Sequence, residues 1–385
     1  MRRVAGVAVP CALALLVHNV SATPADEWTG VDRIVAVGDV HGDLAQLTTV
    51  LRDAGVIDDD DRWSGADTHL VQLGDFLDRG ADSRKVMDLL MRLEHEAERA
   101  GGRVHVLLGN HEAMNVYGDL RYVSEEEYAA FRDDGSDELR ERLYQQVAER
   151  GALLSTAGGR LLAVDAGFRE RFEAQYPLGY VEYRRAFSES GTYGRWLRQL
   201  NAVVKIDDIL FLHGGIGPKY ATMSITEIND TIRRELADDS LDAAAVAERA
   251  VGDPEGPLWY RGLMLEPEHL LEAHVDGLLA RHRVQRIVVA HTITLLVIAP
   301  RFGGKVVGID VGMSKVYGGP PASLVIEDGT PYAVHRGVRF ALEAAVGNGM
   351  VKYLRDAAEL EPDGSLLKAR VAGFVESLPK PAPVP

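Results

Sequence analysis

Cysteine is nearly absent from this chain, since Cys11 is the single one among 385 residues. It lies in an N-terminal segment that we expect to be removed, so the mature chain would have no thiol for disulfides or nucleophilic chemistry. Positive charge is also scarce, because 42 Lys and Arg against 58 Asp and Glu leave a net charge of −16. No block of basic residues is present to bind nucleic-acid phosphates, which argues against a nucleic-acid partner.

The N terminus has the pattern of a secretory signal peptide. Arg2 and Arg3 precede the apolar run 4–17, and the small residues Ser21 and Ala22 follow it. This run is shorter than the about 20 apolar residues that span a bilayer, and an uncleaved anchor is the alternative. We expect residues 1–22 to be a signal peptide cut after Ala22, and the protein to be periplasmic or secreted with no membrane attachment afterwards.

Three strand-like segments end in polar turns marked by glycine. Asp39 and His41 follow the first in VAVGDVHGDL, Asp75 follows the second in HLVQLGDFLDRG, and Asn110 follows the third in RVHVLLGNHEA. Asp39 and Asp75 are 36 residues apart and Asp75 and Asn110 are 35 apart, about one βαβ unit each. Helical periodicity between them predicts parallel strands with crossover helices, whose turns meet at one sheet edge.

Two later strands add histidines in the same way. VVKIDDILFLHGG reads as a hairpin with Asp207 and Asp208 at its turn, and its second strand leads to His213. RIVVAHT leads to His291. Each histidine alone would be read as structural, but five strand ends of this kind predict a shared site.

The pooled side chains suit divalent metal ions. Nitrogen and oxygen donors without thiolate favour two first-row ions bridged by Asp75 over one closed structural zinc site. Two such ions would hold both the attacking and the leaving oxygen in phosphoryl transfer, with metal-held hydroxide as nucleophile. The predicted metal ligands are Asp39, His41, Asp75, Asn110, His213 and His291.

Three further residues beside these ligands have catalytic side chains. His111 follows Asn110, and a carboxylate such as Asp78 would orient it to protonate a leaving oxygen. Arg79 can hold two phosphate oxygens with its planar guanidinium. The alternative for Asp78 and Arg79 is a local ion pair.

The ordered motifs GDVHGD, GDFLDRG, GNHE and HGG, followed by His291, resemble the metal-dependent phosphoprotein phosphatases among the calcineurin-like metallophosphoesterases. The resemblance covers roughly residues 31–318. NHEAMNVYGDLRYV, YGRWL and GPLWYRG are similar to segments of the bacterial Shewanella-like phosphatases, the branch that the chain resembles most. The implied fold is α/β, a mixed β-sandwich flanked by helices (αββα).

The resemblance also implies individual roles. Asp39, His41 and Asp75 would hold one metal, while Asp75, Asn110, His213 and His291 would hold the other. His111 would be the general acid paired with Asp78, and Arg79 would bind phosphate together with Asn110. The predicted second phosphate ligand is Arg261, with Arg195 as its competitor, and Tyr260 is expected to line the pocket.

The chain departs from the eukaryotic family members in one loop. Their C-terminal SAPNYC loop is missing, and GIDVGMSKVYGG takes its place. The resemblance therefore does not imply sensitivity to toxins that bind that loop.

The expected catalytic domain covers residues 31–335 as one unit, with a largely helical insertion between Glu112 and His213. Residues 113–200 either cap the metals or pack against the sheet, and Tyr176, Tyr180, Tyr183 and Phe187 are expected to be packing residues. Later β patterns, including a hairpin at Asp328 and Gly329, predict the second sheet. We expect helix from Gly337 onward within 336–385, followed by a Pro-rich tail.

The resulting hypothesis is an exported two-metal phosphomonoesterase acting on phosphoprotein or phosphopeptide, at Ser/Thr or Tyr. One alternative is hydrolysis of small phosphate esters or nucleotides, and a remote one is a secreted metal-binding protein without activity. The ligand set accepts manganese, iron or zinc, and we favour manganese. Oligomeric state and natural substrate are open at this point.

Overall fold

The structure is a computed structural model that describes residues 24–156, 165–238, 241 and 245–377. The expected signal peptide and the Pro-rich tail lie outside these residues. Among the helices in the described ranges, none combines the length and the apolar character needed to cross a membrane.

Strands and helices alternate through the first half of the chain, and strands dominate again after His291. The strands are β1 (Glu27–Trp28), β2 (Arg33–Val37), β3 (His69–Gln72), β4 (Arg103–Val106), β5 (Val203–Ile206), β6 (Ile209–Leu212), β7 (Arg286–Val289), β8 (Ala299–Arg301), β9 (Val306–Gly308), β10 (Ala322–Glu327), β11 (Thr330–His335) and β12 (Val338–Ala341). The α-helices are α1 (Leu44–Asp53), α2 (Ser83–Ala100), α3 (Asn110–Tyr117), α4 (Glu125–Ala129), α5 (Ser136–Thr156), α6 (Phe168–Gln175), α7 (Tyr180–Ala186), α8 (Thr192–Leu197), α9 (Ile225–Leu236), α10 (Gly262–Leu265), α11 (Glu268–His282), α12 (Met350–Glu359) and α13 (Leu366–Ser377).

The strands form two mixed six-stranded sheets. One has the order β12-β11-β10-β2-β3-β4, and the other has the order β1-β5-β6-β7-β9-β8. Strands β2, β3 and β4 are parallel, as are β6, β7 and β9, while β10 runs antiparallel to β2. The expected mixed α/β fold with flanking helices is confirmed.

Parallel strands with helices on their faces need apolar side chains on both sides. In β6 all four residues, ILFL, are buried, and in β2 only Arg33 is partly exposed. The crossover helices α1 and α2 bury the residues that carried the predicted helical period, including Leu47, Leu51 and Leu90. The buried strands therefore hold the turns that follow them at fixed positions.

The predicted hairpins are present. Ile206 pairs with Ile209 across Asp207 and Asp208, and Glu327 pairs with Thr330 across Asp328 and Gly329. Asp328 and Gly329 both have positive φ, 48° and 77°, which is the type I′ geometry that matches strand twist.

One expectation about the C-terminal segment is wrong. Helix was expected from Gly337 onward, but Val338–Ala341 form β12, which pairs antiparallel with β11. The open edge of β11 provides backbone hydrogen-bond partners for this short segment, and Arg339 forms an ion pair with Glu327, 2.7 Å between Nη2 and Oε2. Helices α12 and α13 begin only after this strand.

The carboxyl ends of the two sheets lie against each other. Leu107, directly after β4, forms a parallel bridge with Asn201, just before β5. The turn after β3 contacts the end of β6, because Nδ1 of His213 lies 2.7 Å from the carbonyl oxygen of Leu73. Residues that are far apart in sequence therefore meet at this edge.

Candidate metal centre and active site

Two glycines allow the turns after β3 and β4 to pack directly on each other. A Cβ at Gly74 would lie 2.3 Å from the backbone nitrogen of Gly109, and a Cβ at Gly109 would lie 2.3 Å from Oδ1 of Asp75. Any side chain at either position would force the turns apart. Glycine at both positions is what brings Asp75 next to the β4 turn.

Several predicted site residues have left-handed backbone conformations. Such conformations cost about 1–3 kcal/mol for a non-glycine residue and persist only where the surrounding structure imposes them. Their concentration where the two sheets meet is typical of a functional site. They are His41 (φ 46°), Asp75 (φ 51°), Asp78 (φ 67°), Arg79 (φ 70°) and His291 (φ 63°).

Asp75 lies at the centre of the cluster. Its Oδ2 is 3.2 Å from Nε2 of His213, 3.9 Å from Nε2 of His111 and 4.0 Å from Nε2 of His41. A second group of donors surrounds His213, whose Nε2 is 3.1 Å from Oδ1 of Asn110 and 3.1 Å from Nδ1 of His291. One carboxylate is thus shared by two groups of donors.

The backbone sets which ring nitrogens carry hydrogen. Nδ1 of His41 donates to the carbonyl of Leu77 at 3.0 Å, and Nδ1 of His213 donates to that of Leu73. The Nε2 atoms of both rings therefore point at the cluster with free lone pairs, as metal-binding histidines do. Nε2 of His291 is buried and has no hydrogen-bond partner among the described residues.

This donor set fits divalent metal ions. The atoms of His41, Asp75 and His111 lie within 4.8 Å of one another, and so do those of Asp75, His213 and His291. A cation between Nε2 of His213 and Nδ1 of His291, 3.1 Å apart, would be bound by both imidazoles. Asp39 joins the first group, with Oδ2 3.9 Å from Nε2 of His41.

Burial and neighbouring charges shift the pKa values of Asp39 and Asp75 in opposite directions. Burial and the charges of Asp310 and Asp75 raise the pKa of Asp39 well above its usual value. Burial also acts to raise the pKa of Asp75, but the surrounding imidazoles, His213 first, hold it well below its usual value. Asp75 is the carboxylate that the cluster keeps ionised, which suits a bridging ligand.

His111 and Asp78 form a buried pair at the cavity floor. Nδ1 of His111 lies 2.6 Å from Oδ2 of Asp78, and both side chains are at most 3% exposed. Burial alone would lower the pKa of His111, but the charge of Asp75 and the hydrogen bond that His111 donates to Asp78 outweigh it and raise that pKa. The pair has the geometry of an oriented general acid.

Arg79 lies beside His111 and between two tyrosine rings. Its Nη2 is 3.2 Å from Nε2 of His111, and its guanidinium carbon lies 4.7 Å from the ring centre of Tyr122 and 5.1 Å from that of Tyr317. Nε of Arg79 is buried and unpaired among the described residues. An oxyanion in the cavity would supply the missing acceptor.

A cavity of about 380 Å³ opens over these groups. Arg261 lies in its wall, and Nη1 of this residue donates to the carbonyl oxygen of His291 at 2.5 Å. The lining consists of Asp39, His41, Asp75, Arg79, Asn110, His111, Tyr122, Trp259, Arg261, Leu265, His291, Thr292, Ile293, Asp310 and Tyr317. His213 lies beneath the floor and is fully buried.

Two predicted binding residues lie elsewhere. Arg195, in α8, donates to the carbonyl oxygen of Ser190 and is absent from the cavity lining. Tyr260 packs near His274, with ring centres 6.3 Å apart, and Trp259 takes its place in the wall. Whether the side chains of Arg195 and Tyr260 face the cavity depends on tertiary packing, which their local motifs do not encode.

Sequence reasoning missed several residues of the site, and four of them bear on its chemistry. Asp310 faces Asp39, and burial raises its pKa to about 6. Glu112 accepts hydrogen bonds from the backbone nitrogens of Asp75 and Gly109, both at 2.8 Å, and so holds two ligand turns together. Tyr122 and Tyr317 complete the cavity wall.

A signal for two of them was present in the sequence. GIDVG follows β9 in the way that GDVHG follows β2, and this pattern marks Asp310. Glu112 is part of the GNHE motif. Tyr122 and Tyr317 lie in loops without periodic pattern, and no local signal distinguishes them.

The sequence profile of the calcineurin-like phosphoesterases matches residues 32–294. The chain belongs to this family. The predicted family membership, the fold and a metal-dependent phosphatase hydrolase activity are thereby confirmed. The family uses divalent metals, in agreement with the donor groups around Asp75.

Two relatives of this chain are Shewanella-like protein phosphatases. The chain is 31% identical over 301 residues to Shewanella-like protein phosphatase 2 of Arabidopsis thaliana, covering 74% of this chain and 72% of the relative. It is 26% identical to Shewanella-like protein phosphatase 1 of Plasmodium berghei, covering 69% of this chain and 62% of the relative.

Among solved structures, the chain is similar to a cold-active protein-tyrosine phosphatase of a psychrophilic Shewanella species. The TM-score is 0.64 at 26% sequence identity, and the similarity covers 83% of this chain and 82% of that chain. The likeness to Shewanella phosphatases that the sequence motifs indicated is confirmed.

Proposed function

We propose that this protein is an exported phosphoprotein phosphatase that uses two divalent metal ions and prefers phosphotyrosine. The observation that carries the proposal is the arrangement around Asp75: one ionised carboxylate shared by two donor groups, with the His111–Asp78 pair and Arg79 on the open side. These parts suit phosphate-ester hydrolysis, which depends mainly on positioning and charge stabilisation.

Asp39, His41 and Asp75 would hold one ion, and Asp75, Asn110, His213 and His291 the other. When bound, the ions supply positive charge for the phosphoryl oxygens and lower the pKa of water. We propose manganese as the first metal to test, since the donor set does not discriminate among manganese, iron and zinc.

The chain's own residues perform the remaining tasks. Arg79 and Arg261 bind phosphate oxygens, and Arg79 is fixed by the rings of Tyr122 and Tyr317. His111, protonated at Nε2, gives that proton to the departing ester oxygen. Asp78 holds the other ring nitrogen and stabilises the charged imidazolium, which favours the acid form at neutral pH.

The cavity wall favours an aromatic phosphate ester. Tyr122, Tyr317 and Trp259 give it aromatic faces, and Leu265, 61% exposed, lies at its open rim. Of the described residues in 113–200, only Tyr122 belongs to the lining, so the helical insertion leaves the site open to a protein-borne phosphate. The similarity to a Shewanella protein-tyrosine phosphatase supports the same substrate class.

The proposal of export rests on residues 1–22 alone. It predicts that the protein isolated from its native cells begins at Thr23, which N-terminal sequencing tests. An intact Met1 on the protein outside the cytoplasm would contradict cleavage.

The substrate proposal is tested with initial rates of metal-stripped protein given manganese. The substrates are one peptide sequence carrying phosphotyrosine, phosphoserine or phosphothreonine, together with nucleotides. We expect the phosphotyrosine peptide to be at least about tenfold better in kcat/KM. His111→Asn should lose about 10²–10⁴-fold.

The matched control is His95→Asn, which changes an exposed histidine of α2 and should keep full activity. Turnover of nucleotides or small esters alone would contradict the phosphoprotein assignment. No turnover under manganese, iron or zinc would contradict the catalytic assignment itself.

A further inference from the structure

Behind His111, a chain of hydrogen bonds leads into the helical insertion. Nδ2 of Asn115 donates to Oδ1 of Asp78 at 2.9 Å, and the hydroxyl of Tyr183 donates to Oδ1 of Asn115 at 2.6 Å. Asp78, Asn115 and Tyr183 are all fully buried. Tyr183 belongs to α7, so this helix is connected to the His111–Asp78 pair by two hydrogen bonds in series.

The chain has a defined direction. Tyr183 donates to the oxygen of the Asn115 side chain, which forces the amide nitrogen to face Asp78. The same nitrogen donates to the carbonyl oxygen of His111 at 3.0 Å. Burial, followed by the charge of Asp78, raises the pKa of Tyr183 well above its usual value, so the hydroxyl keeps its proton.

These contacts restrain both oxygens of Asp78. Oδ2 binds His111 and Oδ1 binds Asn115, while the backbone nitrogen of Asp78 donates to Oε1 of Glu127 at 3.1 Å. Loss of the Asn115 amide would leave a buried carboxylate oxygen without a partner, a state that proteins avoid. The Asp78 side chain would then turn away from its present position, and the ring of His111 would lose its orientation.

We propose that Asn115 and Tyr183 are positioning residues for the general acid, and that α7 supports the catalytic histidine from below. The proposal rests on the function proposed above for His111. In this reading the insertion contributes to the reaction without covering the cavity, and Tyr183 is more than a packing residue.

The proposal concerns one step, the departure of the ester oxygen. The bond between phosphorus and that oxygen breaks, the electron pair stays on the oxygen, and the proton of His111 neutralises it. Attacking water forms the new bond to phosphorus and releases one proton, so protons balance. A poor leaving group depends on this proton, whereas a good one departs without it.

The test uses two substrates of similar size, phenyl phosphate and 4-nitrophenyl phosphate, with the manganese-loaded full chain. Phenolate has a conjugate acid with pKa near that of tyrosine, about 10, and 4-nitrophenolate is a much better leaving group. For Asn115→Leu we expect kcat to fall about 10–100-fold on phenyl phosphate and less than about fivefold on 4-nitrophenyl phosphate, with KM nearly unchanged.

Tyr183→Phe removes one oxygen and keeps the ring, so it provides a variant with minimal effect on folding. It should show the same substrate bias at about 3–10-fold. Tyr128→Phe is the matched control: its ring packs 5.2 Å from that of Tyr183, and its hydroxyl has no hydrogen bond within the described residues. This control should leave both rates unchanged.

The outcomes separate the two proposals. Suppose that His111→Asn loses more activity on phenyl phosphate than on 4-nitrophenyl phosphate. Equal losses on both substrates, or no loss, in folded Asn115→Leu and Tyr183→Phe would then overturn the positioning role. If His111→Asn itself loses both substrates equally, His111 is not the general acid, and both proposals fail. A bias shared by all three variants supports both.

Discussion

Oδ2 of Asp75 lies 3.2 Å from Nε2 of His213, and the Nε2 atoms of His111 and His41 lie 3.9 and 4.0 Å from the same oxygen. The two side chains come from different sheets, since Asp75 follows β3 and His213 follows β6. The donor cluster therefore forms only when both sheets are assembled, and metal ions bound there would stabilise the assembled fold.

Replacing Asp75 with Asn removes the charge that both donor groups share. A neutral amide cannot balance two cations, so we expect loss of bound metal and a fall in kcat of at least about 10²-fold. Metal analysis of the dialysed protein and initial rates measure the two effects. Asp60→Asn, at an exposed turn, is the control, and retention of both metals in Asp75→Asn would show that Asp75 is not the bridge.

Chelation should destabilise the fold because Asp39 and Asp310 then face each other, buried, without a cation. Stripped protein is expected to regain about 3 kcal/mol when manganese is added at about 100 times its dissociation constant. Urea unfolding with and without manganese measures this gain. The Asp75→Asn variant should show a much smaller gain, and an equal gain in both proteins would locate the effect elsewhere.

Substitution of Arg261 should weaken phosphopeptide binding, whereas substitution of Arg195 should not. Arg261→Lys keeps a charge in the cavity wall but loses the planar pair of donors, so KM for a phosphopeptide should rise about tenfold. Arg195→Lys, outside the cavity, should leave KM unchanged. Steady-state kinetics on the same peptide decide this, and the reverse result would return Arg195 to the role of second phosphate ligand.

Glu94, a residue outside the active site, makes the free energy of unfolding depend on pH. Burial raises its pKa to about 7, although the hydrogen bond from Trp196 and the charge of Arg103 act in the opposite direction. The folded state therefore keeps the proton that the unfolded state loses near its ordinary pKa, and stability falls as pH rises from about 4.5 to about 7. Above about pH 7 the folded protein bears the full free-energy cost of burying the ionised Glu94 carboxylate.

Glu94→Gln removes this cost and keeps an oxygen that can accept from Trp196. Relative to the parent, the variant should gain about 1–2 kcal/mol between pH 5 and pH 8, after allowance for solvent screening. Urea unfolding at both pH values under one metal condition measures it. A gain that does not change with pH would mean that Glu94 titrates normally.

Much of the fold could be predicted from the sequence because its signals are local and repeated. The apolar runs of β2, β3 and β4, the 36- and 35-residue spacing and the glycine-marked turns indicate parallel strands with a shared edge. That topology alone brings Asp39, Asp75 and Asn110 together. The turn residues at Asp207–Asp208 and Asp328–Gly329 likewise identified their hairpins.

The rest depends on contacts that no local pattern encodes. Val338–Ala341 became a strand because β11 had an open edge, and Trp259 rather than Tyr260 faces the cavity because of how the loop before α10 packs. Asn115 and Tyr183 are 68 residues apart, and only the folded insertion brings the hydroxyl to the amide.

The most direct test of the two-metal account is a titration of activity. Metal-stripped protein receives manganese in steps, and the initial rate on the phosphotyrosine peptide is recorded at each step. We predict negligible turnover without metal and a plateau at about two equivalents per chain. Full turnover in the stripped protein, or a plateau at one equivalent, would contradict the account.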